Sequence, residues 1–189
     1  MPATAPAKPG SLRAEQIILF RIGEQLFALS SSSVQEVRSA DSLSGGAATI
    51  SAPSVDKVTQ FVRRGQNTLF LVSGAKHFGL PVPEGILAFV LRNTRTALLV
   101  DSIEKMTAIT RLQALPLSFC HEERQWYRGL TALDQTVVPV VRPEGFLSDD
   151  ELMMLDAALP APEVLGEGTE GAEATEAEED SDLGTELNE

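Results

Sequence analysis

Between residues 15 and 147 the sequence consists mostly of short apolar runs bounded by Gly, Asn and Pro. Runs of this length favour β-strands over helices. Two of them flank Gly23-Glu24 and two flank residues 92–95, and both arrangements are typical of hairpins with tight turns. The strands predicted for these hairpins are residues 17–22, 25–29, 87–91 and 96–100.

The second hairpin begins 70 residues after the first, which indicates an internal repeat. Each half also contains an Arg-Gly step, Arg64-Gly65 and Arg128-Gly129, at a spacing of 64 residues. A further strand pair is predicted near each step. We therefore expect two related β units, about residues 15–85 and 86–147, whose closure into barrels would hide edges that short sheets otherwise expose.

Helix signals are few. Residues 148–159 combine a Ser-x-x-Glu capping box with leucines on one face, and Pro160 follows. A shorter amphipathic helix is predicted at residues 54–62, where Val55, Val58 and Phe61 are spaced three apart. The predicted core of the β units includes Leu19, Phe20, Phe27, Leu98, Val100 and Val138.

The acidity of the chain is confined to its end. Of 27 acidic residues, eleven lie in residues 160–189, which contain no Lys or Arg, and sixteen acids against fifteen bases remain elsewhere. This segment has few apolar side chains and is predicted to be a disordered acidic tail, just as residues 1–14 are predicted to be a flexible leader. A nearly neutral body with an anionic tail attracts phosphates weakly, so nucleic-acid binding is disfavoured.

The longest apolar runs are far shorter than the roughly 20 residues that span a bilayer, and direct membrane insertion is not expected. The first ten residues lack the apolar region of a signal peptide. A single cysteine, Cys120, excludes an internal disulfide framework. The expected location is therefore the cytoplasm.

No arrangement of residues indicates catalysis. Residues 166–171 match G-x-G-x-x-G but lack the preceding strand and following helix that dinucleotide binding requires. Cys120 and His121 are adjacent, but neighbours in sequence need not face one another, and together with His77 they are too few for a histidine metal site. We expect no catalytic residue, no metal and no cofactor.

The sequence around the first Arg-Gly step is unusual because Arg63-Arg64-Gly65 directly follows the apolar Phe61-Val62. Guanidinium groups beside an apolar strand suit a protein interface. A solvated strand end is the alternative interpretation of the same pattern.

Several segments, in this order and at these spacings, resemble the CheW-like chemotaxis adaptor domain over about residues 15–150. They are VQEVR at 34–38, VRRG at 62–65, TLFLV at 68–72, FG at 78–79, ALLVDSIE at 97–104, YRGLTALD at 127–134 and VVPVV at 137–141. The resemblance implies a mainly β fold of two interlocked five-stranded SH3-like barrels with short helices, in a domain of about residues 15–159.

The resemblance also implies a non-catalytic coupling protein in the cytoplasm, at membrane-associated receptor arrays. Its partners would be chemoreceptor signalling tips and the regulatory domain of a CheA-type histidine kinase, which has the same fold. In the family, positions matching Val34, Glu36 and Arg64 contribute to these contacts. The implied partner-binding set is Val34, Glu36, Thr59, Val62, Arg63, Arg64 and Gly65.

The chain departs from the family pattern near these surfaces. Thr59 stands where the family usually has Gly, Val62-Arg63 where it has Asn-Leu, Ser73 where an Asp ends the strand, and Arg142 where an acidic residue is common. Two alternatives therefore stay open. One is a diverged CheW-like module of another chemosensory-like pathway, such as surface motility or development, and the other is an enzyme with a reactive Cys120 or His121.

Overall fold

The structure is a computed structural model that describes residues 14–52, 54–83, 85–119 and 121–160. The described residues form eleven strands and four α-helices. The strands are β1 (Glu15–Ile22), β2 (Gln25–Ser30), β3 (Val34–Ser39), β4 (Ala47–Thr49), β5 (Val58–Arg64), β6 (Asn67–Ser73), β7 (Leu87–Leu91), β8 (Thr96–Val100), β9 (Ser102–Ile109), β10 (Tyr127–Leu133) and β11 (Thr136–Val141). The helices are α1 (Ala40–Ser44), α2 (Gly74–His77), α3 (His121–Trp126) and α4 (Asp149–Ala158).

The strands form two sheets, which confirms the mainly β fold. The five-stranded sheet has the order β10-β11-β2-β1-β9, and the six-stranded sheet has the order β3-β7-β8-β6-β5-β4. The sixth strand, β4, is a three-residue addition beside β5. Both predicted hairpins form, β1 with β2 and β7 with β8. The predicted leader and acidic tail lie outside the described residues.

The same topology occurs in both sheets. The order β10-β11-β2-β1-β9 corresponds to β5-β6-β8-β7-β3, with the same antiparallel, parallel, antiparallel and antiparallel pairings. Each hairpin, however, joins the strands of the other half of the chain. The division predicted at residues 85 and 86 therefore does not match the sheets, because the long-range parallel pairs β2 with β11 and β6 with β8 exchange the hairpins.

The repeat is also more regular than the Arg-Gly spacing indicated. Gly65 and Gln66 form the turn between β5 and β6, and the equivalent turn between β10 and β11 is Asp134-Gln135. These turns are 134 − 65 = 69 residues apart, close to the hairpin spacing. Arg128-Gly129 lies at the start of β10 and is not the counterpart of Arg64-Gly65.

Apolar residues on successive strand positions enter different clusters. In β1, Ile17 and Leu19 belong to the interior cluster of the five-stranded sheet, whereas Ile18 and Phe20 belong to a larger shared core to which both sheets contribute. β6 and β8 divide their side chains in the same way between the shared core and the interior cluster of the six-stranded sheet. Burial of both faces explains why these strands are continuous apolar runs. All six predicted core residues are buried.

The segment that follows β9 contacts the other edge strand of the five-stranded sheet. Gln113, in the segment after β9, exchanges two backbone hydrogen bonds with Leu130 of β10, with N···O distances of 2.7 and 2.9 Å. This isolated bridge pairs backbone groups at the β10 edge, while β9 itself remains the other edge of the sheet.

The helix predicted at residues 54–62 is wrong, because most of this segment is strand β5. Val58 and Phe61 are both buried although they are three residues apart. The register of β5 against β6 shifts between Val58 and Gln60. Such a bulge adds one residue to the strand, so that a spacing of three returns to the same face and imitates a helical period.

Helix α4 follows the prediction. The hydroxyl of Ser148 accepts a hydrogen bond from the Glu151 amide, and the Glu151 carboxylate accepts one from the Ser148 amide. Leu155 is fully buried in the shared core, and the helix ends at Ala158. The reciprocal cap satisfies amide groups that would otherwise lack partners at the helix start.

Candidate protein-interaction site around Glu36 and Arg64

An ion pair joins β3 and β5, the first and last of the five repeated strands in the six-stranded sheet. Glu36 lies on β3 and Arg64 ends β5, and the distance from Arg64 Nη1 to Glu36 Oε1 is 2.5 Å. Arg38, also on β3, donates from Nε to the other carboxylate oxygen at 2.9 Å. Two residues of the predicted partner-binding set, 28 positions apart in sequence, therefore form one charged cluster.

A bulge in β3 decides where these side chains lie. Val34 opposes Leu91, which is in the shared core, whereas Glu36 opposes Val90, which is in the interior cluster of the six-stranded sheet. Residues two apart normally share a face, but the register shift between Val34 and Glu36 places them on opposite faces. Consequently Val34 is buried while Glu36 reaches Arg64.

The turn after β5 fixes the position of Arg64. Arg64 opposes Asn67 in the last pair before the turn, and Gly65 has a φ of +60°. Glycine adopts this left-handed conformation at little cost. Gly65 therefore holds the end of β5 in place, and it contributes no side chain that could contact a partner.

The two arginines lower the pKa of Glu36. The hydrogen bond from Arg64 is the largest cause, followed by the hydrogen bond from Arg38. The side chains of Glu36 and Arg64 are 28% and 35% exposed, so solvent screens the pair and its net contribution to stability is about 1 kcal/mol or less. The pair holds charges at a defined place on the surface more than it stabilises the fold.

The remaining predicted residues lie along β5. Thr59 and Arg63 are exposed, and the Arg63 guanidinium carbon is 5.9 Å from the centre of the Phe61 ring. Val62 is half-buried against the interior cluster of the six-stranded sheet. The structure thus groups Glu36 with Arg64, places Thr59 and Arg63 on the surface of the adjoining strand, and buries Val34. Their contacts with partners stay predictions.

The departures from the family pattern differ in their structural setting. Ser73 is buried, and its hydroxyl accepts a hydrogen bond from the Lys76 amide at the start of α2. Asp and Ser are both favoured for this capping role, so Ser73 retains a function that an Asp could perform. Thr59, Arg63 and Arg142 are exposed, and these departures change the surface instead.

Sequence reasoning missed the exposed apolar residues of the edge strands. Val37 on β3 opposes Phe89, and Ile103 and Met106 on β9 oppose Phe20 and Ile18. Opposed residues share a face, so all three lie on the faces that carry the shared core, yet each is exposed. Only the sheet order identifies β3 and β9 as edges, and no local pattern could have done so.

A further exposed apolar residue, Leu117, lies in the segment after β9. Leu117 is almost fully exposed in a turn whose carbonyl oxygens at Pro116 and Phe119 both accept hydrogen bonds from Arg124, at 2.9 and 3.3 Å. The clamp by Arg124 keeps the turn ordered while Leu117 stays in solvent. Single exposed apolar residues are common on protein surfaces, so Leu117 by itself does not mark a contact surface.

A groove of about 570 Å³ lies beside Arg64. Among the described residues that line it, only Arg64 and Arg95 are charged, and Leu152 of α4 forms part of its wall. The full lining consists of Gln35, Arg64, Asn67, Thr68, Leu69, Val90, Leu91, Asn93, Thr94, Arg95 and Leu152. The lining thus combines apolar and neutral polar side chains with two arginines, each of which is paired with an acidic residue.

The five-stranded sheet has an equivalent ion pair of opposite polarity. Lys105 on β9 corresponds to Glu36 on β3, and Asp134 lies in the turn that corresponds to Gly65-Gln66. The Lys105 Nζ is 3.2 Å from the Asp134 carboxylate, and the side chains are 54% and 87% exposed. Each sheet therefore carries one ion pair between the equivalent strands.

His77 is a packing residue. Its ring is buried against Phe78, Trp126 and Phe146, with ring centres 4.7–5.0 Å away. Burial, and secondarily the charge of Lys57, lowers the pKa of His77 to about 3. Histidine is then neutral at neutral pH. Cys120 and the side chain of His121 lie outside what the structure describes.

Within the described ranges no group of three or more His, Cys, Asp or Glu side chains is arranged to hold a metal ion. None of the helices in the same part of the chain is long and apolar enough to cross a bilayer.

Comparison with known proteins identifies the family. No curated protein matches the sequence at a significant level. Among solved structures, the crystal structure of the scaffolding protein TtCheW from Thermoanaerobacter tengcongensis matches with a TM-score of 0.59 and 13% identity, over 74% of this chain and 96% of that one. At this identity the likeness concerns the fold. Residues 16–151 match the CheW-like domain, and the chain belongs to the CheW-like domain family.

Proposed function

We propose that this protein is a non-catalytic adaptor that couples chemoreceptor signalling tips to the regulatory domain of a CheA-type histidine kinase. Membership of the CheW-like family supports a chemotaxis-type scaffold. The observation that carries the proposal is the ordered charge cluster of Glu36, Arg38 and Arg64, and the exposed apolar Val37 lies on the other face of β3. Arginine is enriched at protein interfaces, and two of the three charged residues of the cluster are arginines.

A coupling protein needs two surfaces that can be occupied at the same time. The Glu36–Arg64 edge of the six-stranded sheet is one candidate. The edge of the five-stranded sheet, with Ile103 and Met106, is the other. The two edges belong to different sheets and share no strand, so each presents its own residues to a partner. The protein would then act in the cytoplasm at receptor arrays.

The proposal is tested by reversing the charge of Arg64. Arg64→Glu should weaken binding to the kinase regulatory domain or to the receptor tip, with a loss of about 2–5 kcal/mol if the contact is desolvated. Isothermal titration with each partner separately measures the effect and assigns the surface.

Arg128→Glu is the matched control. Arg128 pairs with Glu15 at 2.6 Å, and the exposure of that pair is nearly that of Glu36 and Arg64. Its loss should affect stability to the same extent without changing partner affinity. Unchanged affinity of Arg64→Glu for both partners would remove Arg64 from the site.

A second candidate function is a CheW-like module that binds a kinase of another chemosensory-like pathway without standard receptor binding. Its support is the exposure of Thr59 and Arg63 on β5, where the chain departs from the family pattern. In the same titrations, wild-type protein would bind the kinase domain and show no affinity for a receptor tip.

A further inference from the structure

Arg92, which directly follows β7, holds the chain at the point where it enters β3. Its backbone amide donates to the Ser33 carbonyl oxygen at 2.8 Å, and its side-chain Nε donates to the Val34 carbonyl oxygen at 3.1 Å. The Val34 amide in turn donates to the Ser31 carbonyl oxygen. One residue thus binds two successive carbonyl groups immediately before the bulge in β3.

The bulge is what allows Val34 and Glu36 to have different surroundings. The register shifts between these two residues, so Gln35 is the additional residue of β3. In a regular strand, residues two apart share a face, and then either Val34 would leave the shared core or Glu36 would leave Arg64. A bulge also interrupts the ladder, so groups outside the ladder help to determine its conformation.

The five-stranded sheet has an arginine at the equivalent place. Its bulge adds Glu104 to β9. Arg21 follows the residue of β1 that pairs just before this bulge, as Arg92 follows the residue of β7 that pairs just before the bulge in β3. Arg21 Nε donates to the Glu104 carboxylate at 2.7 Å. In both sheets, therefore, an arginine Nε from the neighbouring hairpin contacts the bulged segment.

The two arginines differ in what they bind. Arg21 forms an ion pair in which the side chains are 40% and 42% exposed. Arg92 is also exposed, but among the described residues its guanidinium has no carboxylate partner, and its Nε binds the main chain instead. The contact of Arg92 with Val34 therefore requires an N–H donor at one place along the side chain, and it requires no opposite charge.

We propose that Arg92 is a positioning residue of the partner-binding site. Through the Val34 carbonyl it holds the bulge of β3, and the bulge turns Glu36 towards Arg64. The link to binding rests on the proposed function, because the partner is the one that Arg64 helps to bind. Arg92 acts on that partner through Glu36 and not by its own charge.

Three variants of Arg92 in the full-length chain separate the position of the donor from the charge. Arg92→Gln is neutral but keeps an N–H donor at the same number of bonds from Cα as the arginine Nε. Arg92→Lys keeps the charge and has its donor one bond further out. Arg92→Leu removes both. Arg21→Leu is the matched control at the equivalent place of the other sheet.

The first measurement is the pKa of the Glu36 carboxyl group, obtained by NMR titration of the chain without any partner. The hydrogen bond from Arg64 is the largest cause of the lowered pKa, so loss of that contact should raise it towards 4.5. We expect the rise in Arg92→Leu and in Arg92→Lys. Arg92→Gln and Arg21→Leu should have the wild-type pKa at Glu36.

The second measurement is affinity, titrated with the kinase regulatory domain and, separately, with a receptor signalling tip. The relevant partner is the one whose binding Arg64→Glu weakens. Arg92→Leu should weaken that binding roughly tenfold, because Glu36 and Arg64 would then have to be ordered when the partner binds. Arg92→Lys should weaken it more than Arg92→Gln does, and Arg21→Leu should bind as the wild type does.

The comparison of Arg92→Gln with Arg92→Lys decides between position and charge. The opposite order, with lysine near the wild type and glutamine impaired, would assign a direct charge contact to Arg92 and overturn the positioning role. Thermal unfolding of every variant is measured as well. A lower melting temperature of Arg92→Leu with an unchanged pKa at Glu36 would mean that Arg92 only stabilises the fold, and would also overturn the proposal.

The two measurements distinguish failure of this inference from failure of the proposed function. A raised Glu36 pKa without a loss of affinity would overturn the link between Arg92 and binding. An equal loss of affinity with Arg21→Leu would show that the effect is not specific to β3, with the same consequence. No loss with Arg64→Glu for either partner would contradict the proposed function, whereas the Glu36 titration would still decide whether Arg92 holds the bulge.

Discussion

The two ion pairs Glu36–Arg64 and Lys105–Asp134 occupy equivalent places in the repeat but differ in their surroundings. The first includes a second arginine, Arg38, and its two principal side chains are about one-third exposed. The second is a single lysine contact to a turn residue that is almost entirely in solvent. The same topology thus produces one ordered charge cluster and one weak surface contact.

The topology thus provides two equivalent positions for an ion pair. The residues around each position decide whether the pair is ordered. Beside Glu36, the bulge in β3 directs the carboxylate towards Arg64, and Arg38 contacts its second oxygen. Lys105 lies at a depression in the surface. The described residues that line this depression belong to strands and a turn, and none belongs to a helix. An ordered charge loses less entropy when a partner binds, so the first site suits recognition better.

The largest expected effect comes from a substitution in the shared core, because both sites depend on that core. Phe27 is buried and stacks on Phe20 and Phe78, with ring centres 5.8 and 4.4 Å away. Phe27→Ala should lower the free energy of unfolding by about 3–5 kcal/mol, measured by urea denaturation. Val137→Ala, at an exposed position of β11, should change it by about 0.5 kcal/mol or less. A small effect at Phe27 would mean that the two sheets do not share a core.

The next largest effect is a loss of stability at acidic pH that depends on His77. The pKa of His77 is lowered from 6.5 to about 3, so the unfolded chain takes up this proton at a higher pH than the folded chain does. His77 should therefore cost no stability above pH 6.5 and an increasing amount as the pH falls from 6.5 towards 3, on the order of a few kcal/mol in total.

Replacement of the histidine separates this contribution from that of the carboxylates. His77→Leu should flatten the urea midpoint across that pH range. The lowered pKa of Glu36 has a different window, since its stabilisation is complete above 4.5 and is lost only as the pH falls through the still lower folded value. A midpoint for His77→Leu that follows the wild type at every pH would contradict the burial of a neutral imidazole.

A charge exchange tests whether the ordered pair recognises a partner or only joins two strands. The double variant Glu36→Arg with Arg64→Glu acquires the polarity of Lys105–Asp134. Each single change should reduce stability by about 1 kcal/mol or less, and the double variant should recover part of that loss. Partner affinity measured by titration should not recover, because a partner meets the opposite charges.

The corresponding exchange of Lys105→Asp with Asp134→Lys is the control for binding, and it should not change affinity for the partner of Arg64. Recovery of affinity in the Glu36 and Arg64 double variant would show that the pair acts only as a link between β3 and β5.

The smallest expected effect comes from the acidic end of the chain. A chain that ends at Pro160 lacks eleven carboxylates and should melt within about 2 °C of the full-length protein. We predict that partner affinity shifts modestly and that the shift disappears at high salt, because screening limits such fields to about 8–10 Å. Equal affinity at every salt concentration would assign these residues to solubility alone.

Much of the fold could be predicted because its signals are local. Gly23 and residues 92–95 mark turns between apolar runs, and Ser148 with Glu151 forms a cap within four residues. The one wrong helix, at residues 54–62, has the same origin, since a bulge between Val58 and Gln60 reproduces a spacing of three. Patterns within a few residues thus identify strands and turns but cannot distinguish a bulge from a helical turn.

The candidate site was likewise only partly predictable from the sequence. The Arg-Gly step and the Val-Gln-Glu segment marked Arg64 and Glu36 along the chain, and their contact then required β3 and β5 to lie at the two edges of one repeat unit. The exposure of Val37 and Met106, the wall formed by α4 and the burial of Val34 were not visible in any local pattern.

The amino-acid pattern alone was sufficient for the strand-rich class, the two hairpins, the capped final helix and the repeat of about 70 residues, because hydrogen bonds and side-chain alternation within a segment are encoded by neighbouring residues. The exchange of hairpins between the sheets, the pairing of Glu36 with Arg64 and the groove beside α4 depend on contacts between residues far apart in the chain. Such contacts are selected by the free energy of burying the shared core as a whole, and no single segment contains that information.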